Sequence, residues 1–123
     1  MAVPILKQGL YLIASIQSAL SDQDLIQLRD NLAELVGQHR ARGVIIDVTA
    51  LDVMDSFASR MLRAIAYMTK LRGAETVIVG IQPDVALAMA QLGLTLEDVA
   101  TALDLEEGLA FLNRRLEGSH GSQ

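Results

Sequence analysis

The sequence predicts an α/β domain: a single small, mixed, mostly parallel sheet carrying about four helices. Three observations lead there. Short runs rich in β-branched residues, "GVIIDVT" and "TVIVG", alternate with stretches of helical apolar spacing, the order that builds parallel crossovers. A length of 123 residues is that of one domain. Apolar residues make up 51% of the chain but aromatics only 3%, so the core must be aliphatic.

The elements follow in order. "VPILKQ" and "GLYLIASI" read as strands over Val3–Lys7 and Leu10–Ile16, paired as a hairpin around Gly9. "SALSDQD" breaks the pattern, and Ser21 followed by Asp24 resembles a capping box, although Glu or Gln is the usual partner. Leu25, Leu28, Leu32, Leu35 and Val36 then recur at helical spacing, which predicts a first helix from about Asp22 to about His39. Arg40, Arg42 and Gly43 supply a cationic end and a closing glycine. "GVIIDVT" is apolar almost throughout, as a strand buried on both faces requires.

"ALDVMD" is the loop after it, and a second helix places Phe57, Met61, Ala64, Ile65, Met68 and Leu71 on its apolar side. Gly73 ends that helix, and Thr76–Gly80 is another buried strand. Pro83 opens a third helix at the favoured first turn, with Val85, Ala88, Met89 and Leu92 inward and Gly93 as its stop. "LTLEDVATALD" has room for one short edge strand. Leu105, Leu109, Leu112 and Leu116 define a last helix. The expected division is a domain over 1–117 and a flexible polar tail, "GSHGSQ", over 118–123 that includes His120.

Composition narrows the function. The net charge is −5 with no basic stripe, which disfavours nucleic-acid binding, because neutralising phosphates supplies most of that affinity. No run of about 18 apolar residues is present to span a membrane, and no signal segment opens the chain. There is no cysteine, hence no disulfide, thiol catalysis or Cys-ligated metal. The expected location is the cytoplasm.

Enzyme chemistry finds little support. His39 stands near a helix end, and neither histidine has an evident carboxylate or nucleophile beside it. "GIQPDV" lacks the glycines and lysine of a phosphate loop. Asp47, Asp52 and Asp55 form the one tight acidic cluster, and three carboxylates can hold magnesium. The stronger reading is local: a strand end, a loop position and a helix cap. No cofactor and no metal are expected.

"DVMDSFASRML" carries the sharper question. With Asp55 as the N-cap, Ser56 is the first helical residue and Ser59 the fourth. Unpaired backbone N–H groups and the positive end of the helix dipole gather at such a position. A phosphoryl group there would bring roughly −1.5 to −2 charges, opposed by the neighbouring Asp55. The carboxyl end of a buried strand is also where α/β domains place their sites. On chemistry alone the cap reading is the stronger, since serines at helix starts are common. The second helix is the other candidate: Met61 and Met68 lie on or near its apolar side and Arg60 and Arg63 outside it, which reads mostly as core with a solvated face, the alternative being a partly exposed Met- and Leu-rich strip that docks a partner.

"GVIIDVTALDVMDSFASRML" resembles the signature of STAS domains, the family of anti-sigma-factor antagonists: an apolar strand, a variable loop, then Asp-Ser or Asp-Thr at a helix start. "VIVGIQPDVALAMAQLGL" and "TALDLEEGL" extend the likeness to the stressosome scaffold proteins of the RsbS type over nearly the whole chain. The resemblance implies a mixed sheet with packed helices and a regulator that is not an enzyme. Such proteins co-assemble with a sensor STAS paralogue bearing an N-terminal sensor domain, self-associate in a large assembly, and capture a switch serine/threonine kinase. Phosphorylation releases the kinase toward a general stress sigma factor or a second-messenger output. The STAS pattern begins within the first few residues here, which favours the scaffold over the sensor role.

Carried over residue by residue, Ser56 is the phosphoacceptor, with Ser59 as second choice, and Asp55 is the motif aspartate. Asp52 and Phe57 are neighbours of the phosphosite, and Arg60 and Arg63 contact the partner. Phe57 and Ala58 depart from the hydroxyl-then-glycine pattern of many single-domain antagonists, and Phe57 agrees with the RsbS type. Two rivals stand beside this reading. One is a simple monomeric or dimeric antagonist that binds an anti-sigma kinase. The other is a receiver-like domain phosphorylated on aspartate, for which "ASIQSALSD" and "TALDL" supply neither the acidic pair nor the lysine.

Overall fold

The computed structural model describes residues 3–121, the side chains of 119–121 excepted. Its sheet has five strands in chain order: β1 (Ile5–Gln8), β2 (Tyr11–Ser15), β3 (Gly43–Asp47), β4 (Glu75–Val79) and β5 (Ala100–Ala102). β1 runs antiparallel to β2, and every later pair is parallel. Helices α1 (Asp22–His39), α2 (Ser56–Leu71) and α3 (Pro83–Gln91) make the crossovers, and α4 (Leu105–Gly121) follows β5.

Strand order never reverses, so right-handed crossovers all fall on one face. There α1, α2 and α3 pack on Leu12, Ala14, Val44, Ile46 and Ile78. The alternate residues of the same strands, Tyr11, Ile13, Ile45, Val77 and Val79, face the other way and meet Leu112 of α4. Burial on both faces is why "GVIID" and "TVIV" read as continuous apolar runs. The parallel strands all end at one edge of the sheet, and the crossover helices begin there.

Most element positions follow the sequence reading. α1 has the expected bounds, and the capping box is complete. Ser21 Oγ accepts from the Asp24 N–H at 3.1 Å, and the Asp24 carboxylate accepts from the Ser21 N–H at 3.2 Å. A short edge strand, β5, lies where the ambiguous segment left room for one. β1 begins later than expected, at Ile5, and runs on to Gln8, and β2 begins at Tyr11 because Gly9, at φ +60°, and Leu10 form the turn.

Four details differ. The left-handed residue that ends α1 is Arg40 (φ 50°), whose N–H bonds Val36 O, and Gly43 is instead the first residue of β3. On α2 the buried side is Ser59, Leu62, Ile65 and Thr69, whereas Ala64 and Leu71 face solvent. The hydroxyls permit this: Ser59 Oγ donates to Asp55 O and Thr69 Oγ1 to Ala66 O, so each enters the core already satisfied. On α3 only Val85 and Met89 are buried, and Leu92 is exposed. α4 continues to Gly121, past the expected boundary at 117. The His120 side chain and residues 122–123 of the expected tail lie outside the described residues.

Candidate functional site: the β3–α2 loop and the exposed face of α2

Residues 48–55 connect β3 to α2 at the carboxyl edge of the sheet. Asp47 starts the turn: its Oδ1 accepts from the Thr49 N–H at 2.9 Å and from Thr49 Oγ1 at 2.6 Å. The Leu51 N–H donates back to Val48 O at 2.9 Å. Leu51 and Met54 are buried and fasten the loop to the core, leaving Asp52 and Val53 exposed between them. Gln82 Nε2, at the head of α3, donates to Thr49 O at 2.7 Å and ties the next loop to this one. Gly80 lets the two loops approach: its φ is +81°, and a Cβ there would collide with Thr49 Oγ1.

The loop delivers Asp55 as the N-cap of α2, with extended backbone (φ −80°, ψ 178°) and Oδ1 accepting from the Ala58 N–H at 2.8 Å. Ser56 follows as the first helical residue, and it is exposed. Ser59 is different. It is 2% exposed, and its Oγ and N–H both donate to Asp55 O, at 3.1 and 3.0 Å. Phe57 and Ala58 are half-buried. The two serines that sequence alone left unresolved thus occupy unlike environments.

From Ser56, steps of four and three lead to Arg60, Arg63, Tyr67 and Lys70, all exposed on one side of the helix. No acidic residue occurs within α2. Arg60, Arg63, Tyr67 and Lys70 border an open groove of about 790 Å³ whose opposite wall includes Glu75, Asp98 and Val99. Tyr67, 68% exposed, was not singled out from the sequence, though its spacing from Ser56, Arg60 and Arg63 carried the signal. Met61 and Met68 pack against the core as half-buried residues, the core side expected of them rather than a docking strip.

The acidic cluster is not a unit. Asp47 serves Thr49, Asp55 serves Ala58, and Asp52 stands exposed on the loop. Among the described residues, no group of three or more His, Cys, Asp or Glu is placed to hold a metal ion. His39 is exposed in the last turn of α1. Among the described residues, no helix is long and apolar enough to cross a membrane.

The STAS domain model matches residues 3–108. RsbT co-antagonist protein RsbRA of Bacillus subtilis (strain 168) is 30% identical over 83 residues, 68% of this chain and 30% of that protein. RsbT co-antagonist protein RsbRD of the same organism is 31% identical over 67 residues, 54% of this chain and 24% of that protein. The matches therefore span a third or less of the length of these curated relatives. Among solved structures, a serine-to-glutamate variant of Moorella thermoacetica RsbS superposes with a TM-score of 0.81 at 36% identity, covering 94% of this chain and 97% of that one. A chain from a structure described as the molecular architecture of the stressosome, a signal integration and transduction hub, gives 0.79 at 38% identity, covering 92% and 98%. With its aspartate-capped serine at the start of α2, after a buried strand, and with these likenesses, the chain belongs to the STAS domain family, the family of the anti-sigma factor antagonists.

Proposed function

We propose that the chain is a non-enzymatic stressosome scaffold that holds a switch serine/threonine kinase on the exposed face of α2 and releases it when Ser56 is phosphorylated. It co-assembles with a sensor STAS paralogue and self-associates in the cytoplasm, and the released kinase acts on a general stress or second-messenger pathway. The carrying observation is the contrast at the helix start. Ser56 is exposed beside the Asp55 cap, while Ser59 is buried with its hydroxyl already bonded. The descriptions of the relatives as RsbT co-antagonists and as stressosome components support the partner classes.

The release mechanism follows from placement. Arg60 and Arg63 offer an acid-free cationic face to a partner that presents carboxylates. A phosphoryl group on Ser56 carries roughly −1.5 to −2 charges and stands one helical turn before Arg60. It pairs with Arg60 and repels the partner's carboxylates. At about 5 Å in water, each such charge pair is worth roughly 0.8 kcal/mol, so a few pairs change affinity by tenfold or more.

The test is peptide mapping after incubation with ATP, the cognate switch kinase and the sensor paralogue. One phosphate on the peptide "VMDSFASR", absent in Ser56→Ala, together with loss of kinase from the assembly, is the expected result. Unchanged phosphorylation and unchanged kinase release in Ser56→Ala would overturn the assignment.

A further inference from the structure

We propose that Gln82 is a positioning residue for phosphorylation: its side chain clasps the β3–α2 loop and fixes the crest of that loop, Asp52 and Val53, beside Ser56. The proposal rests on the phosphoserine reading above and adds the residue that shapes the surface a kinase meets there.

The place of Gln82 in its own helix is the first observation. It is the N-cap of α3, with extended backbone (φ −64°, ψ 146°), and its carbonyl accepts from the Ala86 N–H at 2.9 Å. That place favours Ser, Thr, Asp or Asn, whose short side chains turn back to accept from the first free N–H groups of the helix. Gln82 makes no such bond. Pro83 removes one of those free donors, but Asp84 and Val85 receive no side-chain acceptor from the cap. The Gln82 amide reaches away from α3 instead, across 33 positions of sequence, and Nε2 donates to Thr49 O at 2.7 Å. A carbonyl only accepts, so the NH2 end of the amide is the end that faces it. The side chain serves the loop before α2 rather than the helix it begins.

The second observation is what that bond secures. The Val48 N–H donates to Val79 O at 3.0 Å, and Gly80 brings the next crossover against Thr49. Thr49 gives its N–H and its hydroxyl to Asp47, which leaves its carbonyl for Gln82. Further on, the Leu51 N–H returns to Val48 O, Leu51 and Met54 are buried, and Asp52 and Val53 stand in solvent. Side chains therefore fasten the loop at its start, through Asp47 and Gln82, and at its end, through Asp55. Asp47 and Asp55 are the loop's own flanks, whereas Gln82 belongs to another crossover. Ser56 itself is carried by α2, whose Leu62 and Ile65 are buried. Opening the clasp thus leaves the serine on its helix and frees the segment in front of it.

The test uses the full chain with Gln82→Ala and Gln82→Asn. Asparagine is shorter by one methylene, about 1.5 Å, and cannot reach Thr49 O, yet it is among the best N-caps. It therefore loosens the loop while firming α3, and it should melt above Gln82→Ala. Exchange of the Leu51 N–H, followed by NMR, should be about fivefold faster in both variants, the worth of one ordinary hydrogen bond. Phosphorylation of Ser56 by the cognate switch kinase with ATP should weaken alike in both, by up to about fivefold, in KM rather than kcat, because only the closed loop is competent to bind. A merely structural role would instead rank the variants by melting temperature and spare Gln82→Asn. Unchanged exchange overturns the clasp. Faster exchange with unchanged KM overturns the positioning role and leaves the phosphoserine reading standing. A wild type that takes no phosphate on Ser56 overturns that reading and this inference with it, a result told apart from the others because it appears before any substitution is made.

Discussion

Replacing Asp55 by alanine removes the acceptor that holds the Ala58 N–H at 2.8 Å and leaves that donor to water. The site is exposed, so the loss is that of an ordinary N-cap, about 1 kcal/mol. For a chain of this length, that lowers the melting temperature by about 4 °C. Asp55→Asn separates two roles. Asparagine caps as well as aspartate, so the hydrogen bond survives, while the favourable interaction of the charge with the helix dipole, roughly 0.3–1 kcal/mol, is lost. The expected order of stability is wild type, then Asp55→Asn, then Asp55→Ala, read by thermal and urea unfolding. The same pair reports on the switch. Asp55→Asn keeps the loop geometry and removes a like charge beside phosphorylated Ser56, so phosphorylation should destabilise that variant less than it does wild type. Equal stability of Asp55→Ala and wild type, or equal damage from alanine and asparagine, would refute this account of the cap.

Three further outcomes are expected. The buried Thr69–Thr76 hydroxyl pair, 2.6 Å apart, should respond asymmetrically. Thr69 Oγ1 gives its proton to Ala66 O, so it accepts from Thr76. Thr69→Val orphans the Thr76 hydroxyl and should cost about 1–3 kcal/mol, whereas Thr76→Val leaves Thr69 bonded and should cost less, as measured by urea unfolding. Burial, and secondarily Glu117, raise the Tyr11 pKa above its ordinary 10.0, against a smaller opposing effect of Arg42. A raised folded-state pKa means stability present below pH 10 and lost as pH rises through the higher folded value, and this component should vanish from unfolding curves of Tyr11→Phe. Arg60→Glu/Arg63→Glu should weaken kinase capture tenfold or more in a pull-down while leaving the melting temperature within about 2 °C, the behaviour of exposed surface positions.

How far the sequence could be read depended on whether each cause was local. The bounds of α1 were legible because Ser21 and Asp24 cap it within three residues. β3 and β4 were legible because burial on both faces leaves an apolar run. The inner side of α2 was not. Counting apolar residues places Leu71 inside, but the helix buries Ser59 and Thr69 instead, whose hydroxyls bond its own carbonyls. The same fact separates Ser56 from Ser59, which the sequence had left open. Other contacts are legible only in three dimensions. Gln82 reaches Thr49 across 33 positions, and the three residues of β5 are too few to show a period.

The second face of the sheet has a consequence for synthesis. Ile45, Val77 and Val79 are made well before α4, the helix that covers them, because the ribosome builds the chain from its amino end. At about 5–20 residues per second, the 17 residues of α4 take roughly one to three seconds to appear. For that interval the nascent domain can close its three-helix side yet must keep an aliphatic surface in water. Landing the last helix also needs a close fit, since a Cβ on Gly108 would stand 2.7 Å from Val79 Cγ1. The late step in making this protein is thus a docking event, and it is the stage at which chaperones or stray partners would find it.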